Sequence, residues 1–132
     1  MTGRWGELGE ADLLGFGHGP TTVEFERVRL ALEADEPDRA VSIAEGGLQP
    51  EQNPFPAARA FHWMVYGRAL VRLRGRHDDA VKALRRAETI HPNRFQRNPF
   101  VREVLAKLVP RSKQDAVGRE LRGMAYRAGL LV

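Results

Sequence analysis

The chain contains no cysteine, which excludes disulfides, thiolate metal sites and a cysteine nucleophile. Lysine is nearly absent as well: of 21 basic side chains, 18 are Arg and only 3 are Lys. Arg-rich, Ala-rich, Lys-poor usage is a common mark of a GC-rich genome, so the arginines do not by themselves signal a nucleic-acid ligand. No apolar run is long enough for a membrane span. The opening MTGRWGELGEADLLGFG, with one Arg and three acids, lacks the apolar stretch of a signal peptide. A cytoplasmic protein is expected, with no membrane contact. No segment alternates apolar and polar residues at a strand period. The four histidines, His18, His62, His77 and His91, fall in different elements without ligand spacing. Ser42 and Ser112 have no local base, and nothing supplies a nucleophile, a base and an orienting group together. The expectation is a protein that is not an enzyme, with no metal and no cofactor.

What is present is helical. At 132 residues the chain makes one domain with room for about six helices. The glycine-rich residues 1–20 read as a flexible or docking segment, with Trp5, Leu8, Leu13, Leu14 and Phe16 apolar enough to dock and a short helix near residues 10–14. The glycine run before Pro20 has neither P-loop nor dinucleotide spacing. The helical domain spans residues 21–132. Its first helix (22–34) starts at Thr21-Thr22 and is apolar around much of its circumference, as for a helix packed between neighbours. The second (38–45) follows Pro37 and ends at Gly46-Gly47. A proline-rich loop (48–56) leads to the third (57–74), where Phe61, Trp63, Met64, Tyr66, Gly67, Leu70 and Leu73 are the packing residues. After Gly75-Arg76 the fourth (78–90) places Ala80, Val81, Leu84 and Ala87 on one stripe and stops at His91-Pro92. The adjacent acids Asp78 and Asp79 suit the dipole at its start. A loop (93–98) precedes the fifth (99–108), and Ser112 caps the sixth (113–127), with Ala116, Val117, Leu121, Met124 and Ala125 turned inward.

The helices repeat in pairs. Asp38-Arg39-Ala40-Val41, Asp78-Asp79-Ala80-Val81 and Gln114-Asp115-Ala116-Val117 align, with their alanines 40 and 36 residues apart. Each alanine sits early in the second helix of a pair, where two helices cross closely. A helical hairpin recurring at this period predicts an all-α solenoid of about three stacked pairs. In the central unit Gly67, Gly75, Ala80, Leu84, Ala87 and Pro92 resemble the small-and-large pattern of the tetratricopeptide repeat. The resemblance departs at the spacing of Gly67 and Gly75, one residue longer than usual, and at Leu84, where an aromatic is typical.

A wider resemblance covers residues 16–130. FGHGPTTVEFERVRLALEADEPDRAV, YGRALVRLRGRHDDAVKALRRAETIHP, RNPFVREVLAKL and VGRELRGMAYRAGL resemble the C-terminal region of actinobacterial lambda-repressor-like (Xre-type) helix-turn-helix regulators. There the resemblance implies a tetratricopeptide-like sensor and dimerisation region behind a DNA-binding domain. This chain departs from the family's Phe-Gly-Pro-Thr-Asn run by an insertion and by Thr22 in place of Asn. Its first twenty residues hold no helix-turn-helix domain, so the expectation is the regulatory part alone, touching DNA only through a domain absent from the chain. Its partner is then a protein, a peptide or a small-molecule effector. A homodimer is also expected as possible, through Leu121, Met124, Leu130 and Leu131.

In such a stack the first helix of each pair lines the concave side. Counting back 18 residues from the three alanines gives Thr22, His62 and Asn98. With Phe25, Arg29 and Arg72 these are the expected binding residues, although Thr22 and Asn98 also suit helix caps. The alternative from another class is a small basic nucleic-acid-binding protein. Residues 1–60 carry 5 basic and 11 acidic side chains, whereas residues 61–132 carry 16 basic and 6 acidic. Arg68, Arg72, Arg74, Arg76, Arg85 and Arg86 could form a basic ridge extended by Arg94 through Lys113, and phosphate attraction needs no more than that.

Overall fold

The computed structural model describes residues 20–130, and side chains from Val23 onward. The expectations placed on residues 1–19 and on Leu131 lie outside the described residues. Within them the chain is all-helical: α1 (Pro20–Glu33), α2 (Pro37–Glu45), α3 (Pro56–Val71), α4 (His77–Ile90), α5 (Pro92–Arg97), α6 (Pro99–Leu108) and α7 (Ala116–Arg127), with single 3-10 turns at Pro50–Gln52 and Val109–Arg111. None of these helices is long and apolar enough to cross a membrane.

Proline sets most of the starts. Pro37, Pro56, Pro92 and Pro99 each open a helix, where the missing N–H is no loss and the fixed φ already suits the helix. Pro92 therefore corrects the expected loop over residues 93–98. It ends nothing beyond α4 and starts α5, which carries Phe95 into the core at 3% exposure. The cap of the last helix is also different. Asp115, not Ser112, accepts from the Gly118 N–H at 2.7 Å, so α7 begins at Ala116 rather than at Lys113. Ser112 instead accepts from Arg122 at 3.1 Å.

α1 packs on α2 and α3 on α4. α3 also lies against α1 and α2, while α4 meets α5 and α7, and α6 meets α7. One core runs through all of them. Val28, Ala40, Leu70, Leu84, Leu105, Leu121 and Met124 are fully buried within it, and each burial of a Leu or Met contributes about 1.5–3 kcal/mol. Leu121 and Met124 thus cannot offer the self-association surface expected of them, because α4 and α6 already cover that face of α7. Leu130 also packs partly against the core. α1 is less enclosed than its composition suggests, since Val23 and Leu30 are exposed along one side.

Close helix approach explains Gly67. A Cβ on Gly67 would sit 2.9 Å from the Leu84 side chain, so α3 can approach α4 this closely only without it. Ala80 and Ala40, early in α4 and α2, are buried with no exposed surface. Ala116 breaks the pattern. As the first residue of α7 it is exposed, and Gly118 is the buried small residue there. A Cβ on Gly118 would lie 1.9 Å from the Lys113 carbonyl oxygen, so its role is to admit the preceding loop rather than a partner helix.

Polar ties join the layers. Glu88, 2% exposed on α4, accepts from both Nε and a terminal nitrogen of Arg127 on α7, at 2.9 and 2.8 Å. Arg85 and Gln96 bond the same carboxylate. Burial opposes ionisation of Glu88, but these donors outweigh it and hold its pKa below the ordinary value.

Candidate functional site

α3 has more apolar side chains than one helix face can bury against α4, and the excess faces α1, the 48–55 loop and α5. Between these elements lies a cleft of about 460 Å³, within the roughly 300–1,000 Å³ range of small-molecule sites. Its walls are Phe25 of α1, Ala60, Phe61 and Met64 of α3, Ala87 of α4 and Phe95 of α5. The loop closes one side through Leu48, Pro50 and Asn53. It is fastened there by Arg59, which donates to the Asn53 carbonyl at 2.8 Å, and by Asn53 Oδ1, which accepts from the Phe55 N–H at 2.9 Å. Glu51 anchors the same loop from outside the cleft, accepting from Trp63 Nε1 at 3.2 Å and pairing with Arg86 at 3.1 Å.

His62 is the unusual member of the lining. It is 5% exposed, and no hydrogen bond to its ring is formed among the described residues. Its neighbours are aromatic: Phe25 at 5.8 Å, Trp63 at 5.4 Å and Tyr66 at 6.2 Å between ring centroids, the last nearly parallel. Desolvation pushes its pKa down to about 4, against a smaller opposing pull from the Glu51 carboxylate, so the ring is neutral at pH 7. A buried polar group without a partner costs about 1–3 kcal/mol. Tyr66, by contrast, is satisfied. Its hydroxyl donates to Glu45 at 2.5 Å, and burial followed by that bond pushes its pKa up to about 12.

Three of the six residues expected from the sequence meet in this cleft: Phe25, His62 and Asn98. Asn98 is at the same time the cap of α6, accepting from the N–H groups of Phe100 and Val101 at 2.9 and 3.2 Å. Arg29 and Arg72 do not line it. Arg29 lies along α1 between Glu26 and Glu33, at 2.7 and 2.6 Å. Arg72 follows the C-terminal end of α3, well away from His62, and pairs with Asp35 in the α1–α2 turn. Thr22 lies in the first turn of α1, and its side chain is outside the described residues.

Sequence reasoning missed Phe95, Arg94, Arg59 and the loop residues. The signal available for Phe95 was a lone aromatic three residues after a proline able to start a helix. Nothing local indicated that residues 48–53 fold back over α3.

Part of the basic ridge is paired with carboxylates. Arg76 bonds Glu45 and Asp79 at 2.6 and 2.7 Å, Arg85 bonds Glu88 and Glu120 at 3.1 and 3.0 Å, and Arg86 bonds Glu51. Arg68 lies 4.6 Å over the Phe100 ring. Among the described residues no three His, Asp or Glu side chains are grouped to hold a metal ion. No protein-family model matches the chain, and neither does any curated protein or solved structure.

Proposed function

We propose that this chain is a non-catalytic binding module: a tetratricopeptide-like stack of three helix pairs, α1–α2, α3–α4 and α6–α7, that receives a ligand or a partner segment in the cleft over α3. The observation that carries the reading is His62, a buried imidazole without a hydrogen-bond partner among the described residues, on the wall of an apolar cavity. A merely structural core would replace such a group with an apolar side chain. Phe25 and His62 lie on the first helices of their pairs and Asn98 caps the first helix of the third, which agrees with first helices lining one side. The polar groups of the cleft have no nucleophile–base pair among them, which favours recognition over chemistry.

By its resemblance to the regulatory region of Xre-type regulators, the module belongs to transcriptional control in the cytoplasm, with DNA contacted by a separate domain. The pairing of Arg72, Arg76, Arg85 and Arg86 with carboxylates supports this reading over a nucleic-acid-binding protein, since phosphate contacts would have to compete with those carboxylates. A thermal-shift screen of small molecules and short peptides tests it, run on the wild type and on Ala57→Trp, which places an indole at the cleft mouth. Binders are expected to stabilise the wild type and not Ala57→Trp. Binders that act equally on both proteins place the site elsewhere and refute the reading.

A further inference from the structure

The charge and hydrogen-bond inventory of the cleft narrows its ligand, taking the cleft as the binding site proposed above. One end of the cavity is the start of α3. The cap residue Phe55 offers no side-chain acceptor, Pro56 has no N–H, and the Arg59 N–H is bonded to the Phe55 carbonyl at 3.1 Å. That leaves the N–H groups of Ala57 and Ala58 without partners among the described residues, and both residues line the cavity. These groups carry the positive end of a helix of 16 residues.

Two guanidinium groups share this lining. Arg59 spends one nitrogen on the loop carbonyl, and Arg94 has no carboxylate partner among the described residues. The single carboxylate on the lining, Glu26, is taken by Arg29 at 2.7 Å. The cavity therefore carries excess positive charge at its rim and aromatic or aliphatic side chains behind it. His62, one turn beyond Ala58 on the same side of α3, is the buried polar group available to a bound molecule.

We infer that the cleft takes a small amphipathic anion, its apolar body against Phe25, Met64 and Phe95 and its anionic head, a carboxylate in the simplest case, received by the first turn of α3 with Arg59 and Arg94. The ligand neutralises the rim and covers apolar surface in one step. The neutral imidazole of His62 adds hydrogen-bonding capacity without a second charge. Charge-assisted hydrogen bonds are about twice as strong as neutral ones, so discrimination between an acid and its neutral amide should reach about tenfold.

The test uses three molecules of one shape: 4-phenylbutyrate, 4-phenylbutyramide and 4-phenylbutylamine. Each is titrated into the full-length chain and followed by backbone amide chemical shifts. The acid is expected to shift the amides of Ala57, Ala58, His62 and Phe95 and to bind about tenfold more tightly than the amide, with the amine weakest. Arg94→Gln, at an exposed position, should bring the acid down to the affinity of the amide, whereas Arg97→Gln, outside the lining, should leave it unchanged. Equal affinity of acid and amide at the cleft amides would overturn the inference while leaving the cleft as a binding site. Shifts that avoid the cleft for all three molecules would overturn both.

Discussion

His62 makes the stability of this domain depend on pH in a window where few other groups act. Its pKa is 6.5 in an unfolded chain and about 4 in the fold. The unfolded state therefore binds the proton more readily. The stability associated with a neutral His62 is complete above about pH 6.5 and is lost as pH falls towards 4. A tenfold change in proton affinity is worth about 1.4 kcal/mol, so the full loss is about 3 kcal/mol, of which most has occurred by about pH 4.5. The charged groups nearest the ring do not cancel this. Glu51 favours protonation of His62, but desolvation dominates. Glu45, Glu51 and Glu88 are held below 4.5, so they remain ionised through most of the window and contribute their own losses below it. The perturbation is His62→Phe, and the assay is urea unfolding followed by circular dichroism from pH 7.5 to 4.5. The wild type should lose about 2–3 kcal/mol over that range relative to the variant. At pH 7.5 the variant should equal or exceed the wild type in stability, because a buried polar group without a partner among the described residues has been removed. The other three histidines are present in both proteins, so the difference isolates His62. Parallel pH profiles for the two proteins, or a His62 ring that titrates near 6.5 by NMR, would refute the reasoning.

Further substitutions test the packing. Gly118→Ala forces a methyl into the Lys113 carbonyl and should cost at least about 2 kcal/mol in chemical denaturation despite the higher helix propensity of alanine. Gly67→Ala should cost about 1–2 kcal/mol for the same kind of reason, because fully buried Leu84 has no room to yield. A gain in stability would mean that α3 and α4 are further apart than described. Arg127→Ala leaves the buried Glu88 carboxylate with only Arg85 and Gln96. It should lower stability by about 2 kcal/mol at pH 7 and shift acid unfolding to higher pH, since the group that depresses the Glu88 pKa most strongly is gone.

The helical fold was legible because its local signals agree: apolar spacing near 3.6 residues, glycine at the turns and proline at the starts. The α3–α4 crossing could be located from Gly67, Ala80 and Leu84 alone. Register failed where a cap competed with a repeat. Asp115 has the better side-chain geometry for the Gly118 N–H, so α7 begins late and Ala116 turns outward. Proline carries two meanings, stop and start, and Pro92 has both: α4 ends at Ile90, and Pro92 opens α5, which buries Phe95. The site was half legible. His62 and Asn98, reached by counting back from the aligned alanines, line the cleft together with Phe25. Arg29 and Arg72 do not, because nearby carboxylates that counting ignores draw each of them away. The 48–55 wall is fixed by contacts from Arg59, Trp63 and Arg86, three residues distant in sequence.

The claim that the cleft over α3 is where this domain binds is tested most directly by amide-resolved mapping of the strongest stabiliser from the thermal-shift screen. The account predicts saturable shifts at Ala57, Ala58, His62, Met64 and Phe95 and in the loop from Leu48 to Asn53, abolished by Ala57→Trp. Shifts concentrated on the arginines of α4 and on the exposed face of α7, with the cleft amides unmoved, would contradict it.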